Sequence, residues 1–412
     1  MLATLFRHID GLAETVVDLQ RSLVAIPALG PQNGGPGEKD KADFLRRYLE
    51  DLGIADIRDL PAPDASVPCG FRPNIAARLP GANARKTLWI ISHLDVVPPG
   101  DRALWATDPY TLVREGDMIV GRGVEDNHQA IASSLMTAKA LLDLRLVPEL
   151  TLGLLLVSDE ETGSAFGLEF LLREHAALFG PQDLFLVPDS GVPDSSQVEV
   201  AEKSMLWIKF AVLGKQCHGS TPDKGINTLV AASDLVLRLR RLYGIFGRED
   251  QLYDPPRSTF EPTKKEANVE NVNTIPGRDV FYVDCRVLPD YPLDDVLAAA
   301  AGVCREVEAA YGVRVETGVV QRVDAPPATP ADSEIVRSVL ANVRRVYGGE
   351  PRPQGIGAGT VAAMLRKRNL PAVVWATLLH NAHQPNERSS LANTLGDAKV
   401  MAGMLFPSLV PC

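Results

Sequence analysis

The chain has 412 residues, 45% of them apolar and 23% charged, with a net charge of −10. That length is more than one ordinary core can use and points to two domains, while the composition excludes disordered and fibrous classes. The negative balance excludes a general attraction to nucleic acid or to anionic membranes.

Along the chain, residues 39–52 place Phe44, Leu45, Tyr48, Leu49 and Leu52 on one helical face, with Gly53 as the stop. Residues 87–91, 151–157, 184–187 and 372–377 are nearly continuous apolar runs. Buried parallel strands look like this when helices cover both faces of their sheet. A helix rich in Ala, Leu and Met is expected over 129–144. The middle of the chain changes character. Segments 205–213 and 279–288 alternate as half-buried strands do, helices are expected over 228–244 and 293–311, and 249–276 reads as a polar loop holding Pro255-Pro256. Pro326-Pro327 and Pro330 mark a return to the first domain. The expected fold is α/β, a parallel-rich central sheet flanked by helices, built from residues 1–202 and 323–412. Residues 203–322 form an inserted α+β domain.

Apolar runs are far shorter than the roughly 20 residues of a membrane helix, so no membrane association is expected. Residues 1–10 meet a charge before any apolar core of signal length. Five scattered cysteines, Cys69, Cys217, Cys285, Cys304 and Cys412, contain no CxxC pair and read as free thiols. A cytoplasmic location is expected.

In open parallel sheets, sites form beyond the carboxyl ends of strands. The four apolar strands end in Ser92-His93-Leu94-Asp95, Ser158-Asp159-Glu160-Glu161, Pro188-Asp189-Ser190-Gly191 and His380-Asn381-Ala382-His383. Asp126 follows the turn Gly121-Arg122-Gly123 and opens a helix. Each piece alone is commonly a surface pair, a solvated helix start or an N-cap. Together they converge on one sheet edge. Two histidines and three carboxylates suit a pair of divalent ions, zinc first, with cobalt or manganese as alternatives. Three carboxylates and one hydroxide would balance four positive charges, and one Asp can bridge through its two oxygens. Asp95 stands where it can accept the second ring N–H of His93. One of the two adjacent glutamates is left to move protons.

These motifs resemble the M20 metallopeptidase family, in particular its acetylornithine deacetylase and succinyl-diaminopimelate desuccinylase group. The resemblance rests on Ser92–Pro98, Gly121–Asp126, Asp159–Ser164 and His383–Arg388, with Gly214–Pro222 and Asn273–Pro276 in the inserted domain. It implies a zinc-peptidase-like catalytic domain in which His93 and Asp189 hold one metal ion, Glu161 and His383 the other, and Asp126 bridges. It selects His383 over His380, makes Glu160 the general base and then acid, and makes Asp95 the partner of His93. A metal-bridging hydroxide is the implied nucleophile. The peptide bond after Asp126 is expected to be cis. The inserted domain would be a lid and dimerisation domain, giving a homodimer, with His218 stabilising the oxyanion. Asn273 and Arg286 would bind the substrate's carbonyl or carboxylate, and the loop at Gly357 and Gly359 its carboxylate.

Two departures stand out. Asn127-His128-Gln129-Ala130 replaces the family's lysine and glycine after the bridging aspartate, so that His128 reads as a surface residue. Asp189 stands where the desuccinylase, aminoacylase and carboxypeptidase branches commonly have Glu, which resembles the deacetylase and dipeptidase branches more. The implied activity is hydrolysis of an amide in an N-acyl amino acid or similar small carboxylate. The alternatives are a dipeptidase or aminopeptidase of the same family, or a non-catalytic small-molecule binding protein on this fold.

Overall fold

The computed structural model describes residues 1–357 and 359–409. It divides into two compact units, one of Met1–Val200, Ala328–Pro353 and Thr360 onward, the other of Ala201–Pro327 with Gln354–Gly359.

The large sheet, most of it in the first unit, comprises β1 (Asp56–Asp59), β2 (Ile75–Leu79), β3 (Asn83–His93), β4 (Leu150–Val157), β5 (Leu184–Gly191), β6 (Gln197–Glu202), β7 (Arg352–Ile356) and β8 (Ala372–Ala376). Their spatial order is β1-β2-β4-β3-β5-β8-β6-β7. The four apolar runs are its parallel centre: β3 pairs parallel with β4 and β5, and β5 with β8. Every residue of β4 and β8 is buried, which is why both read as unbroken apolar runs. The sheet is not wholly parallel. β1 and β2, β2 and β4, and β6 and β8 pair antiparallel at its margins. The helix expected over 129–144 runs from His128 to Asp143, and nearly all of it is buried. The first expected helix spans Lys39–Asp51 and buries Ala42, Leu45 and Leu49, but also Lys41.

The second unit holds a four-stranded antiparallel sheet in the order Thr259–Lys265, Arg278–Val287, Ser204–Leu213, Arg314–Val323. Its core includes residues of helices Thr228–Leu239 and Leu293–Tyr311. The segment read as a polar loop therefore contains a strand. Only Phe260 of Thr259–Lys265 is buried, so an edge strand looked like loop. The end of β7 groups with this unit: Gly355 N–H donates to Leu252 O (2.6 Å) and Lys203 N–H to Ile356 O (2.9 Å).

Cys69, Cys217, Cys285 and Cys304 are free; Cys412 lies outside the described residues. Among the described residues no helix is long and apolar enough to cross a membrane.

Candidate metal centre

His93 is the last residue of β3, buried to 2% exposure. Its Nε2 stands 2.9 Å from Asp126 Oδ1 and 3.4 Å from Asp189 Oδ1. On the other side of Asp126, His383 Nε2 is 3.0 Å from Oδ2 and 3.2 Å from Glu161 Oε2. Two clusters result, His93–Asp126–Asp189 and Asp126–Glu161–His383, each with one donor atom per residue lying within 4.8 Å of the others. One carboxylate, Asp126, faces both through its separate oxygens. The Asp126–Asn127 peptide is cis, as the resemblance implies.

The donor set fits divalent first-row ions. It offers two imidazoles and three carboxylates and contains no thiolate. Glu161 Oε1 is buried without a hydrogen-bond partner, the state of an oxygen that awaits a cation. The neighbouring carboxylates shift both histidines. Burial lowers the His93 pKa, but Asp189 and Asp126 more than reverse this and keep it well above the usual range. Hydrogen bonds to Asp126 and Glu161 raise His383 to about 10. Burial, then the negative charge of Asp189, pushes Glu160 well above an ordinary carboxyl.

Asp95 supports the site differently from expectation. The second ring nitrogen of His93 meets the main-chain carbonyl of Asp95 (3.0 Å), with the carboxylate farther away at 3.5 Å. That carboxylate instead accepts the N–H groups of Glu160 (3.1 Å) and Glu161 (3.0 Å). A carboxylate at the amino end of this short turn satisfies donors that the turn itself leaves free. Asp95 thus orients the two glutamates and holds His93 through its backbone.

Several contributors were not read from the sequence. Asn127 accepts from His93 N–H (3.3 Å) and donates to Asp189 Oδ1 (2.6 Å), so the residue after the shared aspartate ties both remaining members of one cluster. His128 is not at the surface. It is 1% exposed, with Nε2 2.7 Å from the Nζ of Lys41, itself wholly buried. Burial pushes Lys41 down to about 7 and holds His128 well below the usual imidazole range. The imidazole leaves no room beside Gly123: a Cβ there would come within 2.6 Å of His128 Cε1, and φ is +89°. Only glycine suits that turn. Arg72, also buried, is paired with Glu38 and stands 3.5 Å from Asp159, which opens the turn of Glu160 and Glu161.

In the second unit, His218 pairs with Thr274 across a short ladder, and Gly219 N–H donates to Asn273 O (2.7 Å), so His218 and Asn273 adjoin. His218 Nδ1 accepts from Ser220 N–H (3.2 Å) and lies 2.8 Å from Ser220 Oγ, which leaves the neutral ring's proton on Nε2. The guanidinium of Arg286 is already engaged. Nε and Nη2 donate to Asp284 (2.8 and 3.0 Å) and Nη1 to Gly357 O (2.8 Å). Asp284 lies two residues back on the same strand face. Gly357 and Gly359 border open space, since a Cβ on either would touch nothing within 4 Å; Ala358 between them lies outside the described residues.

Strand ends that converge on two His–carboxylate clusters, with the half-buried Glu160 beside them, describe a metal-dependent hydrolase. The chain belongs to the peptidase family M20/M25/M40, whose family model matches residues 89–406. It is 36% identical over 408 residues to an uncharacterized metallohydrolase of Methanocaldococcus jannaschii, covering 96% of this chain and 99% of that protein. It is 27% identical over 383 residues to a succinyl-diaminopimelate desuccinylase of Dinoroseobacter shibae, covering 91% and 94%. Among solved structures, an aminopeptidase of Bacillus cereus superposes with a TM-score of 0.74 at 16% identity, covering 95% of this chain and 98% of that one. Human carnosine dipeptidase 1 gives 0.71 at 17%, covering 98% of each. At such identities these two structures speak for the fold alone.

Proposed function

We propose that the chain hydrolyses the amide bond of an N-acyl amino acid or similar small carboxylate, with two divalent ions held by His93, Asp126, Glu161, Asp189 and His383. The observation that carries this reading is the sharing of Asp126 between two three-residue clusters with Glu160 alongside. Bound divalent ions supply Lewis acidity toward a carbonyl and acidify water.

The remaining work falls to the chain's own groups. Glu160 accepts a proton from the attacking water and delivers it to the departing amine nitrogen. Asp189, Glu161 and Asp126 are among the carboxylates that raise its pKa. They are also the ones divalent charge would neutralise, which returns Glu160 toward its proton-accepting form. The turn on Asp95 fixes where the Glu160 main chain sits. His218, with its proton on Nε2, is assigned to the developing oxyanion. With Arg286 held by Asp284, we assign it to fixing Gly357, and the substrate carboxylate to Asn273 and the main-chain amides of Gly357 and Gly359.

A panel of Nα-acetyl and Nα-succinyl amino acids beside unblocked dipeptides, assayed after chelation and reloading with Zn²⁺, Co²⁺ or Mn²⁺, tests the assignment. Metal-dependent turnover of the blocked amino acids is expected. Cleavage confined to unblocked dipeptides would overturn the N-acyl reading and favour a dipeptidase.

A further inference from the structure

The two loops that carry Asp126 and His383 are organised by each other's neighbouring carboxylates. Glu125 precedes Asp126 and is 1% exposed. Its oxygens accept the main-chain N–H groups of Leu379 and, at 2.8 Å, Asn381, in the segment leading into His383. In return Glu387, beyond His383 and wholly buried, accepts from Gly123 (2.9 Å), Glu125 (2.9 Å) and Asp126 (3.0 Å), and from Arg122 Nη1 (2.6 Å). Each loop supplies the anion that orders the other's backbone.

The backbone on the His383 side needs such support. His380, His383 and Asn386 have φ of 60°, 64° and 59°. Left-handed values are costly for non-glycine residues and persist only where the surroundings fix them. The two carboxylates also differ in reach. The Glu125 carboxylate accepts from the segment before His383, whereas Glu387 holds the segment bearing Asp126, the residue common to both clusters.

We propose that Glu125 and Glu387 form a reciprocal latch that positions the metal-binding groups, Glu125 serving the Asp126–Glu161–His383 cluster alone and Glu387 serving both clusters. This inference rests on the ligand assignment made above. A merely structural role would weaken both ions together in either variant, or neither.

Calorimetric titration of the metal-free protein with Zn²⁺, with bound zinc counted by mass spectrometry, separates the possibilities. Wild type is expected to take two ions. In Glu125→Gln one ion should keep wild-type affinity while the other weakens about 10- to 100-fold, the usual loss when a group that orients a ligand is changed. Glu387→Gln should weaken both. Equal weakening of both ions in Glu125→Gln, or wild-type affinity in both variants, overturns the latch. Should Glu387→Gln fail to fold by circular dichroism, the split between ions in Glu125→Gln decides alone. Retention of two ions by His383→Ala would instead overturn the ligand assignment beneath the latch.

Discussion

Asp126→Ala is expected to abolish tight binding of both metal ions and to cut amide hydrolysis about 10³-fold or more, because two-ion polarisation is worth several kcal/mol and each decade of rate corresponds to about 1.4 kcal/mol. The size follows from its position. Oδ1 faces His93 and Oδ2 faces His383, so one truncation takes a donor from each cluster and leaves two on either side. Substitution at His383, by contrast, touches one cluster only. Its side chain is also the most exposed of the set, at 55%, and its loss should disturb the core least. Counting bound metal in both variants after equilibrium dialysis checks the asymmetry. Equal losses would show that Asp126 is not shared.

The second large effect is expected from Glu160→Gln. The amide keeps the shape of the carboxyl but cannot take up a proton, and general acid–base transfer contributes about 10²–10⁴-fold to rate. Glu160 belongs to neither cluster, and its main-chain N–H bond to Asp95 is independent of the side chain. Metal stoichiometry should therefore stay at the wild-type value while turnover falls by about 10²-fold or more. Turnover near wild type would remove Glu160 from the proton-transfer role, and loss of an ion would make it a ligand.

Much of this arrangement was legible because it obeys simple periodicities. β4 and β8, at the centre of the sheet, are covered on both faces, so their apolar runs stand out, and a rule about strand ends then points to His93, Glu161 and Asp189. The choice of His383 and the pairing around Asp126 came from the family resemblance, since spacing alone could not bring a distant loop to the site.

What stayed hidden has physical reasons. Arg314–Val323 lies at a sheet edge with most residues exposed, and β1 and β2 are short marginal strands, so neither displays a strong apolar pattern. Lys41 sits on a helix rich in charge, where a lysine reads as solvated; its ammonium meets His128, 87 positions away. The same holds for the Asp95 carboxylate. Proximity along the chain suggested the His93 ring, but the N–H groups of a turn 65 residues onward are better placed to use both its oxygens. Arg286 with Asp284 could have been read from strand alternation, which sets residues two apart on one face.

The most direct test is a crystal structure of the zinc-loaded protein with anomalous data at the zinc edge. Two peaks are expected, one contacted by His93, Asp126 and Asp189 and the other by Asp126, Glu161 and His383. A single peak, or ions held by residues other than these five, would contradict the shared-aspartate centre.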